Sequence, residues 1–199
     1  MIEGSFNGPR LRGRQLFILC LTHFTVPVSF AGYKVTPFLT KVDVTNYSNH
    51  LNLTVHIAST SNENRINLEI NTLHKVPNPR IIVVIWIHVG PGAALQTLFY
   101  NQTIDICTFI KNPGTHRLVL VVYREMRRHG SIPTDCPVPS GSYMFTGIST
   151  NQMRFPSFFT QTNFRLDITG LIGPSKVRIL DSRWYGVINK VKCTAADRC

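Results

Sequence analysis

Cysteines are the residues whose chemistry is easiest to anticipate in this 199-residue chain. Cys107, Cys136, Cys193 and Cys199 lie beyond the N-terminal segment, and Cys20 lies within it. In an oxidising compartment four cysteines indicate two disulfides, with three possible connectivities. A structural zinc site is disfavoured, because its usual C-x₂₋₄-C ligand spacing is absent. A thiol nucleophile beside a histidine is the remaining alternative, and an oxidising compartment favours disulfides over it.

Other catalytic patterns are absent from the sequence. It contains no G-x-S-x-G, H-E-x-x-H or G-x-G-x-x-G motif. Acidic residues number only 10, so paired carboxylates are hard to assemble. Histidines are scattered over predicted turns and strands, and we interpret them as structural. We therefore expect no enzyme, no metal and no cofactor.

The N-terminal segment has the pattern of a secretory signal peptide. A basic region (residues 10–14) precedes an apolar run (16–30), and Ser29-Phe30-Ala31 is a small-x-small cleavage pattern. A signal anchor or transmembrane helix is the alternative, which the polar residues and proline within the run disfavour. We expect residues 1–31 to be removed and residues 32–199 to form a single secreted, extracellular domain without a transmembrane segment.

Sequons and charge bear on the compartment and the partners. Asn46, Asn52 and Asn101 begin N-x-S/T sequons, so the chain is a predicted glycoprotein. The net charge of +11 favours acidic partners and anionic surfaces. A nucleic-acid partner is not expected, because no DNA- or RNA-binding signature is present.

Alternating hydrophobicity predicts antiparallel strands in both halves of the chain. The run 80–89 is predominantly apolar, which predicts a central strand covered on both faces. Short turns between the first strands predict a meander. The predicted strands are 41–45, 50–58, 65–71, 80–89, 94–100, 142–148, 163–169, 177–179 and 184–191.

Two helices are predicted between these sets of strands. Thr103 is the predicted N-cap of a helix ending at Ile110, with Asp105 in its first turn. Thr115 is the predicted N-cap of a second helix ending at Arg128, although a strand over 118–123 stays open. Asp105 could contact a ligand, but capping or seating of the helix is the preferred interpretation. The fold class is therefore mainly β, an antiparallel β-sandwich with a helical insert around 103–128.

The order of short motifs resembles a known family. The run Tyr100-Asn101-Gln102-Thr103-Ile104-Asp105-Ile106-Cys107, then a helix, then Cys136-Pro137, is similar to an insect family of secreted β-rich domains of unknown function. The CheB chemosensory proteins are its best-known branch, and it is thought to be related to ML-type lipid-recognition domains and the ganglioside-activator fold. The resemblance extends from about residue 34 to residue 191. It implies an ML/immunoglobulin-like β-cup and a Cys107–Cys136 disulfide, and Cys193–Cys199 is then the second predicted pair.

The resemblance also implies a function. Twelve Phe, six Tyr and two Trp give more aromatic surface than a small sandwich requires, and ML-type relatives hold lipid tails between their sheets. We expect a non-enzymatic carrier or receptor for a hydrophobic, lipid-like molecule, and the resemblance implies a pheromone in chemosensation as one such ligand. The alternative is an extracellular adaptor or co-receptor with a filled core and a basic face for an acidic protein. The candidate cavity-lining residues are Trp86, Phe99, Tyr143, Phe145, Phe164 and Trp184, with Phe155, Phe158 and Phe159 at the mouth and Arg124, Arg127 and Arg128 at an anionic headgroup.

Overall fold

Antiparallel strands make up most of the chain in the computed structural model, which describes residues 32–48, 50–60, 63–89 and 95–193. The signal-peptide prediction falls outside the described residues. From Gly32 onward the chain forms one compact unit. The strands are β1 (Tyr33–Asn46), β2 (Leu51–Ser59), β3 (Asn64–Thr72), β4 (Arg80–Val89), β5 (Leu95–Asp105), β6 (Gly141–Ser149), β7 (Thr162–Ile172) and β8 (Val177–Lys192).

The described strands form two antiparallel sheets, so the predicted mainly-β sandwich is confirmed. One sheet has the order β1-β8-β7-β4-β5, and the other has the order β2-β3-β6. The predicted meander is wrong, because β2 and β3 pair in the smaller sheet whereas β4 and β5 pair in the larger one. Pro77-Asn78-Pro79 lies at the crossing between them, where prolines remove the backbone donors that would continue the pairing.

Several strand predictions were too short, since β5 extends to Asp105 and β7 to Ile172. β1 begins at Tyr33 rather than Lys41, and it pairs with β8 along its whole length. The two predicted C-terminal strands are one continuous strand, β8. Its polar middle looked like a break, but Asp181 and Arg183 face outward there while Ser182 is buried between the sheets. The alternation of faces therefore continues through the polar residues.

Helices α1 (Ile106–Lys111) and α2 (Arg117–His129) connect β5 to β6. The helical interpretation of residues 118–123 is thus confirmed. Both predicted caps are wrong: Thr103 lies in β5, and Thr115 lies in a short 3₁₀ turn before α2. Asp105 caps α1 instead, because its carboxylate accepts the backbone N–H of Thr108 at 2.9 Å. No helix among the described residues has the length and apolar character needed to cross a bilayer.

The helices complete the layer that the smaller sheet leaves unfinished. Phe109 of α1 packs with Val83 and Ile104, and all three are buried. Val119 and Tyr123 of α2 pack against the same cluster. The β4–β5 side of the larger sheet is therefore covered by helix rather than by strand.

A disulfide joins the two ends of this helical segment. Cys107 at the start of α1 is bonded to Cys136 after α2, with a Cα–Cα distance of 5.8 Å, so this predicted pair is confirmed. Cys193 is also disulfide-bonded. Its predicted partner, Cys199, lies outside the described residues.

A buried carboxylate that the sequence did not indicate holds the histidine that joins the C-terminal turn of α2 to β6. Glu125 is 2% exposed. It accepts a hydrogen bond from Arg128 at 2.8 Å and pairs with His129 Nε2 at 3.0 Å. The other ring nitrogen of His129 lies 3.0 Å from the carbonyl oxygen of Thr146 in β6. A Cβ on Gly130 would lie 2.1 Å from a β6 carbonyl oxygen, so this close approach requires glycine.

The outer face of the larger sheet carries a polar network beside β4, whereas the sequence predicted that both faces of β4 are covered. Asp167 of β7 accepts hydrogen bonds from Trp86 Nε1 at 3.2 Å, from Arg165 at 3.2 Å and from Arg183 at 3.1 Å. The guanidinium of Arg165 also lies over the Trp86 ring at 5.3 Å. An ion-pair network therefore lies along this face, next to the half-buried outward side chains of β4.

Replacing Glu125 with alanine tests the attachment of α2. We expect the free energy of unfolding to fall by about 1–3 kcal/mol, since the buried hydrogen bonds are lost and His129 keeps only one partner. Urea denaturation measures the change. Arg124→Ala on the same helix is the matched control and should change stability by less than about 0.5 kcal/mol. Equal effects of the two substitutions would contradict the attachment role.

Asp105 predicts a pH dependence of stability. The Thr108 N–H holds the pKa of Asp105 below its ordinary value, and nearby Arg80 adds to this effect against the opposing effect of burial. Because the folded pKa is depressed, the stabilisation is present above the unfolded value and is lost as pH falls through the folded one. Asp105→Asn keeps a capping oxygen but cannot ionise. We expect the wild type to be the more stable at pH 7 by up to about 1 kcal/mol, with the difference vanishing at acid pH in urea titrations. A difference that is constant with pH would contradict this.

Candidate functional site

An apolar cavity of about 480 Å³ lies between the two sheets. Its walls come from both sheets, including β1, β4, β7 and β8 of the larger sheet and β2, β3 and β6 of the smaller sheet, and from α1 and α2. Nearly all of the lining side chains are aliphatic or aromatic. Small-molecule sites are concave, mostly apolar and about 300–1,000 Å³ in volume. This cavity is the candidate functional site.

The cavity lies where three buried clusters meet without filling the interior. Leu68 and Ile70 of β3 contact both the cluster around Phe145 and the cluster around Leu180. Leu166 contacts the first of these and the cluster around Phe109. These connecting residues face inward, yet they are only partly buried. In a close-packed core they would be fully buried.

A second depression, of about 460 Å³, lies at the surface near the end of β4. It is lined by His88, Val89 and Val187 and by the residues 160–163. Few residues line it, and they include both polar and apolar side chains. It therefore lacks the enclosed apolar walls that make the inter-sheet cavity a candidate.

Six of the nine predicted aromatic residues line the cavity: Tyr143, Phe145, Phe155, Phe159, Phe164 and Trp184. The polar atoms of this group are paired. Trp184 Nε1 donates to Ser182 Oγ at 3.0 Å, and the Tyr143 hydroxyl donates to a backbone carbonyl at 2.9 Å. Burial, and secondarily the charge of Asp135, raises the pKa of Tyr143. These aromatics therefore present mainly their apolar surfaces to the cavity.

Three predicted aromatic residues lie outside the lining. Trp86 is on the outer face of β4, paired with Asp167. Trp86 lies in an unbroken apolar run, so polarity did not reveal which residues face inward. The register shift opposite Ile85 and Trp86 leaves Phe99 of β5 as the unpaired residue. Phe99 packs against Phe159 at 4.9 Å between ring centroids, and Phe158 stacks on Phe159 while remaining 64% exposed. Phe158 is thus an exposed aromatic beside the cavity wall.

The predicted headgroup arginines also lie outside the cavity lining. Arg124, Arg127 and Arg128 lie on the exposed side of α2, while its residues Leu118, Val122 and Met126 line the cavity. Arg128 is paired with Glu125.

Arg80 at the start of β4 is the arginine that the structure places in the cavity lining, and the sequence did not indicate it. Its Nε lies 3.7 Å from the carboxylate of Asp105, the residue that caps α1. The Tyr100 side chain lies in the same wall, and burial raises the pKa of its phenol. These are the groups that could orient the polar end of a ligand.

The three sequon asparagines are all exposed. Asn46 donates to Asn52 Oδ1 at 2.7 Å and accepts the N–H of Leu53 at 3.0 Å, so it connects β1 to β2. Asn101 lies on β5, the edge strand of the larger sheet. Glycosylation at each position stays a prediction. No cluster of three or more potential metal ligands occurs among the described residues.

Residues 82–166 match the model of a family described as a protein of unknown function, DUF1091. No curated protein matches the chain. The matched stretch is less than half of the chain and runs from β4 into β7. It contains both disulfide-bonded cysteines of the helical segment, Asp105, and all of α1 and α2. The central part of the chain is therefore similar to a family of unknown function, in agreement with the predicted resemblance to a family of that kind.

Proposed function

We propose that this protein is a secreted, non-enzymatic carrier or receptor for a hydrophobic, lipid-like small molecule. The observation that supports this most directly is the apolar cavity of about 480 Å³ between the sheets. Its wall combines two hydrogen-bonded sheets with helix α2, which is joined to β6 mainly by side-chain contacts. The disulfide between Cys107 and Cys136 is compatible with an extracellular location.

Burial of apolar surface is a sufficient source of affinity for such a ligand. Each methylene transferred from water contributes about 0.8 kcal/mol. A chain of about ten methylenes therefore supplies roughly 8 kcal/mol before the costs of association. Micromolar binding requires about 8 kcal/mol net, so a longer chain or a few polar contacts suffices without any catalytic group.

Polar groups at the cavity wall favour an amphiphile over a pure hydrocarbon. Arg80 and Tyr100 lie at the helical side of the lining. Thr150, also in the lining, has a buried hydroxyl with no hydrogen-bond partner among the described residues. Polar atoms that are buried without partners are uncommon in folded proteins. A ligand with a hydroxyl, carbonyl or carboxylate head and an alkyl tail fits this distribution.

The resemblance to the CheB and ML-type domains supports the same proposal and adds a setting. Its motif residues Tyr100, Asp105 and Cys107 occur at the cavity wall, the helix cap and the disulfide. Chemosensation, with a cuticular lipid or pheromone as the ligand, is the setting that this resemblance implies. The alternative of an adaptor with a filled core is less favoured, because inward residues such as Leu68 and Leu166 are only partly buried.

Filling the cavity tests the proposal. Leu68→Trp places a large side chain where the clusters fail to meet. We expect it to weaken binding of the apolar fluorophore N-phenyl-1-naphthylamine and of dodecanoic acid by about tenfold or more, a loss of at least about 1.4 kcal/mol. Fluorescence titration and ligand-induced shifts in melting temperature measure the effect.

The matched control is Leu73→Trp, the same substitution at a side chain that is 64% exposed and outside the lining. It should bind both probes as the wild type does. Mass spectrometry of wild-type protein from a eukaryotic secretory host provides an independent readout. If no lipid co-purifies, and neither probe binds or raises the melting temperature, the carrier function is wrong.

A further inference from the structure

Helix α2 has two chemically different faces. Leu118, Val122 and Met126 line the cavity on one side. On the other side Arg117, Leu120, Arg124 and Arg127 follow one another at spacings of three or four residues, so they form a single outward stripe. We call this stripe the arginine face. The same helix is therefore both a wall of the cavity and a basic surface.

The charges of the arginine face are not neutralised by neighbouring side chains. Among the described residues, no carboxylate lies within ion-pair distance of Arg117, Arg124 or Arg127. The acidic residue of α2, Glu125, is buried and paired with Arg128 and His129. The guanidinium of Arg127 lies over the Tyr123 ring at 5.9 Å and keeps its charge. The face therefore presents a net positive potential to the solvent.

An aliphatic side chain lies among these charges. Leu120 is half-buried and belongs to none of the three buried clusters. Helical spacing places it between Arg117 and Arg124. Arginines that surround an aliphatic residue are typical of helices that lie in the headgroup region of anionic bilayers, where guanidinium groups bind phosphates and the aliphatic residue enters the acyl boundary.

We propose that the arginine face of α2 docks the protein on anionic membrane surfaces, so that the cavity is loaded or emptied from the lipid phase. This inference rests on the proposed carrier function. Lipid-like molecules reside in membranes rather than in water, so a carrier must meet a membrane at the wall through which its ligand passes. The wall formed by α2 is connected to β6 through His129, which Glu125 holds, and through Gly130 rather than by a strand ladder. Binding to an acidic protein would account for the positive charges. It would not explain why the basic face lies on the same helix that forms a wall of the cavity.

Vesicle binding tests the proposal with two triple variants of equal charge. Arg117→Glu/Arg124→Glu/Arg127→Glu reverses the arginine face. Lys75→Glu/Arg154→Glu/Lys192→Glu reverses three exposed basic residues elsewhere, which form no ion pair among the described residues. Each protein is sedimented with vesicles of phosphatidylcholine alone or of phosphatidylcholine mixed with phosphatidylserine, at low and high salt.

We expect wild-type protein to bind the mixed vesicles, in a salt-sensitive manner, and not the neutral vesicles. Each basic residue near an anionic surface contributes roughly a factor of five in partitioning, so reversing the arginine face should reduce binding about a hundredfold or more. The control triple should stay within about fivefold of the wild type. Equal losses in both triples would attribute binding to net charge and overturn the proposal.

Binding of N-phenyl-1-naphthylamine from solution separates this proposal from the carrier function. If the probe binds all three proteins but the wild type ignores mixed vesicles, the docking surface is wrong and the carrier function is untouched. If vesicle binding follows the arginine face but no protein binds the probe, the carrier function is wrong. Salt-sensitive capture on immobilised polyglutamate without vesicle binding would assign the face to an acidic protein and overturn membrane docking.

Discussion

A three-stranded sheet is too narrow to cover a five-stranded one, and the interior of this protein follows from that mismatch. Apolar residues on the inner side of β4 and β5 must be shielded from water, because exposing them is costly. The chain supplies α1 and α2 for this purpose instead of two more strands. Helices and sheets present surfaces of different shape, so the side chains of the two layers do not interlock everywhere. The cavity lies where this packing is incomplete.

The way in which α2 is held follows from the same constraint. A strand in its place would be fixed by a continuous ladder of backbone hydrogen bonds. The helix instead relies on the Cys107–Cys136 disulfide, the buried Glu125 with its basic partners, and the close approach of Gly130 to β6. These contacts are few and specific. One wall of the cavity is thereby held mainly by side chains, while the opposite wall is held by backbone hydrogen bonds.

Much of the fold could be predicted from alternating hydrophobicity, because inward and outward residues differ in polarity along β2, β3 and β7. The pattern failed where that difference disappears. Trp86 lies in an apolar run, so nothing in the sequence distinguished its outward position from the inward positions of its neighbours. The polar residues Asp181 and Ser182 caused a different error, because they divided β8 into two predicted strands although it is continuous. The buried position of Glu125 was hidden because an acidic residue among arginines is ordinarily exposed.

The aromatic lining of the candidate site could be predicted from the sequence, but the cavity and the position of Arg80 could not. Tyr143, Phe145, Phe164 and Trp184 line the cavity because they alternate inward along their strands, and Phe155 and Phe159 line it from the loop before β7. The cavity itself leaves no mark on the sequence, since Leu68 or Leu166 would be equally suitable in a filled core. Arg80 was missed because its role depends on Asp105, a residue that lies next to it only through the pairing of β4 with β5.

The disulfide has a topological consequence as well as a structural one. Because Cys107 and Cys136 bracket both helices, the polypeptide between them is a closed ring. A protease that cleaves the exposed connection between α1 and α2 therefore opens the ring without releasing either piece. The cut ends stay covalently joined through sulfur. A nicked molecule would therefore persist as a two-chain form, and it would migrate as one species until its cystine was reduced.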